Sequence, residues 1–529
     1  MLLINASARD TVKIFQPFYP IHPPVGVGQL VSAARAAGLE VDFIDEQVSE
    51  DFEGEIDRRV RRLPAPYFFG ISVLTSAVAS AMRLAAALKR RYPGCFIVCG
   101  GIHPTLVAEE VLADPSVDAV IRGEAEQPLL DLYRAFRDGG PLVKIPNLSY
   151  RSGATVVNNP ISFIVNDFRR YPPFPYDLFT DPRYDMGFVL SSRGCPYHCI
   201  FCSAKAMPGS ATYRFRDAKA IVDEVQYLRE KRGVDSLIFV DDNFLVNPKR
   251  VRELIAELVA RGLAHKMRYT FQARGDGADA ELFKDLREVG FEYVLFGLET
   301  ASETVMKRIQ KGETVAECVA GVRLAKAAGL KVGATFVFGL PGETQEDRWD
   351  AIVMAKELGI DMVRFNNAIP YPGTELYAIA KRENRLNIVG QYRNFIAVSG
   401  VTENPFKKVP FAYIPEGTTA SQLRRDILLA HFMIYLDLPK TIRSVFFSGK
   451  KTRWMNLGSG LLQRARKLPA LLFLGAMLSV KFLQLGYYLF LKRETAIRLS
   501  TFFSLLRRFA RAGKKGNAPR SGGPEVPAC

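Results

Sequence analysis

Eleven short apolar runs, each followed by a stretch with helical spacing, constrain the fold of this chain more than any other feature. Five lie in the first 150 residues, at Leu2 to Asn5, Val41 to Ile44, Phe68 to Val73, Phe96 to Cys99 and Asp118 to Ile121. Strands that alternate with helices pair in parallel, so residues 1–150 are expected to form a doubly wound, Rossmann-like α/β sheet. From about Gly187 the rhythm resumes, with strands expected at Gly187 to Leu190, Ser236 to Val240, Met267 to Phe271, Tyr293 to Gly297, Val332 to Phe338 and Met362 to Asn366. Six such units predict a partial, TIM-like (β/α)6 barrel. Both architectures bind ligands beyond the carboxyl ends of their strands. The loops rich in glycine and polar residues fall there. In the first block they are Ser72, Gly100-Gly101-Ile102-His103-Pro104-Thr105 and Gly123-Glu124-Ala125-Glu126, whose glycines allow a large planar ligand to approach the backbone. In the second they are a cysteine loop, Asp241-Asp242-Asn243, Gln272-Ala273-Arg274, Gly297-Leu298-Glu299-Thr300, Gly339-Leu340-Pro341-Gly342-Glu343-Thr344 and Pro370-Tyr371-Pro372-Gly373-Thr374.

The cysteine loop reads Arg193-Gly194-Cys195-Pro196-Tyr197-His198-Cys199-Ile200-Phe201-Cys202. Its spacing supplies three thiolates rather than four. An iron-sulfur cubane held by three thiolates keeps one iron open to a substrate or cosubstrate, which suits catalysis better than electron storage. The alternative is a structural zinc site completed by His198. Against it, Cys95, Cys99, Cys318 and Cys529 offer no second ligand pair at a finger-like spacing. Seven cysteines in 529 residues are too few and too odd in number for a disulfide framework. With Arg9 and Asp10 interrupting the amino terminus where a secretory apolar run would stand, they point to a reducing cytosol.

At the cysteine loop, with the aromatic Phe201 before its third cysteine, the chain resembles the radical S-adenosylmethionine (radical SAM) superfamily. The resemblance implies a 4Fe-4S cluster on Cys195, Cys199 and Cys202, with S-adenosylmethionine chelating the open iron. It further implies cosubstrate contacts at Phe201, Asp241, Asp242, Gln272, Arg274, Glu299, Phe338 and Gly339. The second-strand loop would meet the methionyl amino group, the fourth-strand polar groups the ribose, and the fifth-strand turn the adenine. Read singly, each has a plain reading too: a helix cap at Asp241 and Asp242, an ion pair at Glu299, an ordinary turn at Gly339. Pro23-Pro24-Val25-Gly26-Val27-Gly28-Gln29-Leu30, together with the two glycine loops of the first block, resembles the cobalamin-binding domain that precedes the barrel in one large subfamily. Cobalamin contacts are then expected at Ser72, Gly100, Gly101, His103, Gly123 and Glu124. Asn5-Ala6-Ser7-Ala8-Arg9-Asp10 replaces the Asp-x-His-x-x-Gly motif, so no histidine ligand to cobalt is expected from the first-strand loop. His22 and His103 are left as cobalamin contacts or polar surface groups. A flavodoxin-like domain with another ligand, or none, is the alternative.

Residues 151–186, stiffened by Pro172-Pro173-Phe174-Pro175, read as a linker that sets one domain against the other. The barrel is expected at 187–375 and an accessory region governing substrate choice at 376–439. The latter carries Tyr413-Ile414-Pro415-Glu416-Gly417 and a helix from Ser421 to Tyr435. Between Lys440 and Lys515 stand 17 Lys and Arg against one acid, Glu494, an excess equal to the whole net charge of +16. Charge so confined is a local adaptation and not the footprint of nucleic-acid binding. Residues 468–491 are long enough to span a bilayer, yet Lys481 sits near their middle. The arginine-rich apolar stretch from Ile497 to Phe509 reads as an interfacial helix, and the segment as a peripheral attachment to the cytoplasmic face of a membrane. A helical pair packed on the core is the alternative. Residues 516–529 read as a disordered polar tail, with Cys529 outside the prenylation position.

The resemblance implies an enzyme that methylates an unactivated carbon by way of a 5'-deoxyadenosyl radical and methylcobalamin, served by an external one-electron reductant of flavodoxin or ferredoxin type, and the basic, apolar carboxyl-terminal segment leads to the expectation of a lipophilic small-molecule substrate. Ring closure or rearrangement with the same cofactors is the nearest alternative, and a cobalamin or redox sensor a remote one.

Overall fold

The computed structural model describes residues 1–7, 20–168, 172–397, 403–435 and 468–516. In the first block the apolar runs become β1 (Leu2–Asn5), β2 (Asp42–Asp45), β3 (Phe68–Ser72), β4 (Phe96–Gly100) and β5 (Ala119–Ile121). They pair in parallel in the order β2-β1-β3-β4-β5. The strands are apolar on both faces because helices cover both, as in doubly wound sheets. The hairpin β6 (Leu148–Ser152) and β7 (Thr155–Asn158) then adds two antiparallel strands beside β5. The first domain therefore continues to Asn158, and the linker expected from residue 151 begins after it.

That linker is not a free spacer. Phe174, Tyr176 and Phe179 are buried, and Phe174 stands edge-on to Phe188 at 5.2 Å between centroids. Ser32 donates to the Pro173 carbonyl at 2.7 Å. A Cβ on Gly28 would lie 2.2 Å from the Phe174 ring, so the Val25–Ala36 helix needs glycine there to accept the linker. The linker is thus a wedge that bonds the first domain to the second.

The second block forms a six-stranded parallel sheet of β8 (Phe188–Val189), β11 (Ser236–Phe239), β12 (Arg268–Ala273), β13 (Phe291–Glu299), β14 (Lys331–Phe338) and β15 (Met362–Asn367), paired in that order. A short ribbon of β9 (Ser192–Arg193) and β10 (Arg214–Phe215) brackets the cysteine loop. Aromatic stacking fills the sheet's core, with Phe239 on Phe291 at 5.7 Å and Phe244 near Phe271 at 5.2 Å.

Beyond the barrel, the helix Ala420–Tyr435 lies along β15, where Tyr435 Oη bonds the Val363 N–H and carbonyl at 3.0 and 2.7 Å. Helix Leu468–Gly486, a single π-turn at Tyr487–Leu491 and helix Leu499–Gly516 follow. By length and composition alone, Leu472–Leu491 would cross a membrane. Its two faces differ, however. One buries Lys481, Leu485, Tyr488 and Leu489 against the body of the protein, and the other exposes Leu472, Phe473, Leu483 and Leu491. Lys481, 1% exposed, faces Glu403 at 3.6 Å, and Glu403 takes two further bonds from Arg424 at 3.0 Å each. The costly central lysine of the sequence reading is an internal ion pair. Arg508 on the last helix reaches Glu346 and Asp350 of the barrel. The expectations for 440–467 and for 517–529, like those for Ala8 to Asp10, lie outside the described residues.

Candidate functional site

The cysteine loop is held mostly through backbone. Gly194 has φ +89°, and a Cβ there would lie 2.4 Å from the Thr212 carbonyl oxygen, so only glycine fits before Cys195. Cys195 N donates to Ser210 O at 2.8 Å, Ile200 N to Ile309 O at 3.0 Å and Cys202 N to Cys199 O at 3.2 Å. All three thiols are half-buried and free. Burial raises each of them, Cys199 to about 11, while Lys311 and Arg274 pull Cys199 the other way. His198 points to solvent, outside any ligand set.

Asp241 does not perform the task its position suggested. Fully buried, it accepts the Ser191 N–H at 2.7 Å, the Ser192 N–H at 2.9 Å and the Ser191 hydroxyl, and it faces Arg250 at 3.3 Å. Its lone pairs are committed to the strand that leads into the cysteine loop, which makes it a structural lock and not a cosubstrate contact. Asp242 remains exposed at the barrel mouth, hemmed by protein so that lost hydration and the Asp241 charge raise its pKa. Gln272, on the neighbouring strand β12, is half-buried, its carbonyl accepting Phe244 N at 3.0 Å.

Arg274 lies over the Tyr197 ring, 3.5 Å from its centroid, bonds Asp276 at 3.0 and 2.8 Å, and reaches Cys199 Sγ at 3.9 Å. Glu299 follows a bulge at the end of β13 with φ +61°, a strained backbone for a non-glycine residue. Lys311 holds it there. The ammonium, 3% exposed, bonds Glu299 at 2.9 Å, the Gly297 carbonyl at 2.6 Å and Glu313 at 3.2 Å. Glu313 in turn accepts the Gly275 and Asp276 N–H groups at 2.9 and 3.1 Å. Lys311, Glu313, Asp276 and Tyr197 were missed in the sequence, because Lys311-Gly312-Glu313 follows a helix rather than a strand end. Phe338 is fully buried against Phe365 at 5.3 Å, so its side chain belongs to the core and not to a ligand. Gly339 (φ +85°) donates to Glu343 at 2.5 Å and lies beneath Leu423 of the carboxyl-terminal region. Phe201 is half-buried against the core.

On the first domain, Ser72, Gly100, Gly101, Gly123 and Glu124 line one cavity of about 300 Å³, closed on the barrel side by Leu190 and Arg193. Their loops are tied together: Thr105 Oγ1 donates to Gly101 O at 2.7 Å and accepts Gly123 N at 2.9 Å. One expectation fails. His103 lies outside the cavity at 0% exposure, edge-on to Tyr392 at 4.7 Å, and neither ring nitrogen has a hydrogen-bond partner among the described residues. Lost hydration lowers its pKa to about 4, so it is a neutral core residue rather than a cobalamin contact or a surface group. Glu124 lines the cavity, but its carboxylate is taken by Arg214 at 2.9 and 2.8 Å and by Val165 N. His22 is exposed, with Nδ1 3.1 Å from the Asp185 carbonyl.

Residues 189–355 match the family described as the radical SAM superfamily, and residues 13–132 the B12 binding domain. An uncharacterized methyltransferase of Pyrococcus horikoshii is 30% identical over 432 residues, 80% of this chain and 90% of that one. The chain belongs to the B12-binding radical SAM enzymes. An anaerobic magnesium-protoporphyrin IX monomethyl ester cyclase of Cereibacter sphaeroides is 28% identical across 67% of this chain and 60% of its own length. A hopanoid C-3 methylase of Methylococcus capsulatus is 26% identical across 68% and 69%. The solved cobalamin-dependent S-adenosylmethionine radical enzyme OxsB superposes with a TM-score of 0.66 over 96% of this chain and 75% of that one at 15% identity, a likeness of fold.

The cofactors of this B12-binding radical SAM enzyme are a 4Fe-4S cluster, S-adenosylmethionine and cobalamin. The residues present fit them. Three free thiols share one loop, and Arg274 and Lys311 oppose the burial that raises the Cys199 thiol. The first-domain cavity is largely apolar, at the low end of small-ligand pockets in size, and floored by glycines, so it takes part of a corrinoid. A Cβ on Gly100 would meet nothing nearer than the Ile121 carbonyl at 3.9 Å, which leaves that backbone open to a ligand.

Proposed function

We propose that this enzyme methylates an unactivated carbon of a lipophilic small molecule, and that it does so at the cytoplasmic face of a membrane. When bound, the cluster and S-adenosylmethionine supply a 5'-deoxyadenosyl radical, and cobalamin carries the methyl group. The chain supplies position. Cys195, Cys199 and Cys202 present the cluster, Asp242 and Gln272 line the mouth where the methionyl group would lie, and the Lys311-held Glu299 stands at the ribose end. Arg274, clamped by Tyr197 and Asp276, keeps a positive charge beside the Cys199 sulfur. No proton transfer is required for hydrogen-atom abstraction, so the absence of an acid-base pair from these assignments costs the reading nothing.

The observation that carries the proposal is the direct apposition of the two ligand faces. Gly123 at the cavity rim abuts Pro208 just beyond the cysteine loop, where a Cβ would come within 3.4 Å. Relatives whose names specify a methylase of a hopanoid and a cyclase of a tetrapyrrole support a large apolar substrate and leave ring closure as the second reading. Methyl-labelled S-adenosylmethionine separates the two: label in the isolated product supports methyl transfer, and an unlabelled, dehydrogenated or cyclised product supports the other. Membrane attachment is supported by the basic excess after Lys440 and by the exposed Leu472, Phe473, Leu483 and Leu491. Sedimentation with anionic liposomes tests it. Salt-sensitive binding of the full chain agrees with attachment, and none at low salt refutes it.

A further inference from the structure

Four charged side chains meet where the cobalamin-binding domain touches the barrel. Glu124 comes from the loop after β5, and Glu126 opens the helix Glu126–Asp138 that follows it. Arg193 and Arg214 come from the ribbon that brackets the cysteine loop, where they are direct cross-strand partners. Arg193 Nη1 lies 2.8 Å from Glu126 and 3.5 Å from Glu124, and its guanidinium sits over the Phe168 ring at 5.1 Å. Arg214 holds Glu124 with both of its terminal nitrogens, at 2.9 and 2.8 Å. The four side chains are 8 to 16% exposed, so solvent screens them weakly. Two guanidiniums stand against two carboxylates, and the Arg214 fork on Glu124 fixes angle as well as distance.

The covalent neighbours of this group decide what it does. Arg193 is separated from Cys195 by Gly194 alone, and Gly194 has no room for a Cβ, which would lie 2.4 Å from the Thr212 carbonyl oxygen and 2.7 Å from that of Ser210. Glu124 and Arg193 both line the first-domain cavity. The cavity loop and the cysteine loop are therefore linked through these ion pairs and one intervening glycine. A second contact acts in the same sense: Gly373, in the loop after β15, would carry a Cβ 2.8 Å from Leu106 of the first domain and 3.4 Å from Ala206 after the cysteine loop.

We propose that Arg193 and Glu126, backed by Arg214 and Glu124, are positioning residues that set the distance between cobalamin and the iron-sulfur cluster. This rests on the reading that one chain binds both cofactors. The substrate carbon would have to face the site of hydrogen-atom abstraction and the methyl carrier in turn, so the spacing of the two cofactors matters, and a misplacement of about 1 Å is enough to cost roughly a hundredfold in rate. The ion pairs are built to prevent that misplacement.

The test uses the full chain, reconstituted with iron, sulfide and hydroxocobalamin and then reduced so that both cluster and cobalt are paramagnetic. Pulsed dipolar electron paramagnetic resonance reads the distance between them. The unsubstituted protein is expected to give one narrow distribution. Glu126→Gln and Arg193→Ala are expected to shift or broaden it while the cluster's own spectrum and the cobalamin stoichiometry stay as they were. Arg193→Lys, which keeps the charge but loses the planar guanidinium over the Phe168 ring, is expected to fall between. A distribution unchanged in all three variants overturns the proposal. So does loss of cobalamin from Arg193→Ala and Arg193→Lys alike, which would make Arg193 a binding residue of the cavity. Failure of the underlying reading shows up separately, as unsubstituted protein that takes up no cobalamin.

Discussion

Replacing Asp241 by Asn tests the assignment of this buried carboxylate as the lock of the cysteine loop. The substitution keeps shape but removes the negative charge 3.3 Å from Arg250, a guanidinium 2% exposed. It also places an amide N–H where one of three donors now points: the Ser191 and Ser192 N–H groups and the Ser191 hydroxyl. Breaking a buried pair while leaving its partner charged costs about 3–5 kcal/mol. That is a large fraction of the roughly 5–15 kcal/mol by which a folded domain is stable. With a urea dependence near the upper end for domains, about 3 kcal/mol per molar, the midpoint for the barrel should fall by at least about 1 M. Bound iron after reconstitution should fall with it, because the strand carrying Ser191 and Ser192 delivers Cys195. Asp242→Asn is the control one residue away. It should leave the midpoint and iron content unchanged and weaken S-adenosylmethionine by roughly tenfold or more, the worth of one charge-assisted hydrogen bond. Denaturation followed by fluorescence and by cluster absorbance reads the first effect, and equilibrium binding the second. An Asp241→Asn protein with an unshifted midpoint and full iron content would refute the assignment.

Three further outcomes follow from the buried charges. Lost hydration pushes the Glu343 carboxyl up to about 8, with Arg348 and the Gly339 N–H opposing. Because the folded state holds that proton more tightly than the unfolded chain, stability is full below the ordinary carboxyl range and declines as pH rises through 8. Glu343→Gln should flatten the decline in a pH series of thermal melts. Lys481 is lowered to about 8 by burial, with Glu403 opposing, so its contribution runs the other way and grows as pH climbs from 8 towards the ordinary lysine range. Lys481→Met should abolish that rise. Glu403→Ala should be far worse, costing about 3–5 kcal/mol because it strands Arg424 and Lys481 without a counter-charge, and release of the carboxyl-terminal helices to limited proteolysis would report it.

The strands were legible in the sequence almost to the residue, because apolar runs buried on both faces and punctuated by glycine have few other solutions. β6 and β7 were lost to the linker because they pair antiparallel, outside the strand-helix rhythm that identified the rest. Strand parity carried a signal for Asp241. Successive side chains alternate, so Asp241 shares the face of the buried Leu237 and Phe239, and Asp242 falls opposite. The Lys311-Glu313 network had no such signal, since its partners come from β13 and the loop after β12 and only folding brings them together. Lys481 misled for a related reason. Its cost in lipid is evident from the chain, but the Glu403 that neutralises it stands 78 residues earlier, where no periodicity points to it.

The central claim is that one chain presents two cofactors face to face, and anaerobic reconstitution with cofactor analysis tests it most directly. The full chain is expected to hold one 4Fe-4S cluster and one cobalamin, with a cluster resonance that changes when S-adenosylmethionine is added. Alanine at Cys195, Cys199 and Cys202 together should remove the cluster and leave the cobalamin. A triple variant that keeps its full iron and sulfide, or an unsubstituted chain that takes up no cobalamin, would contradict the account.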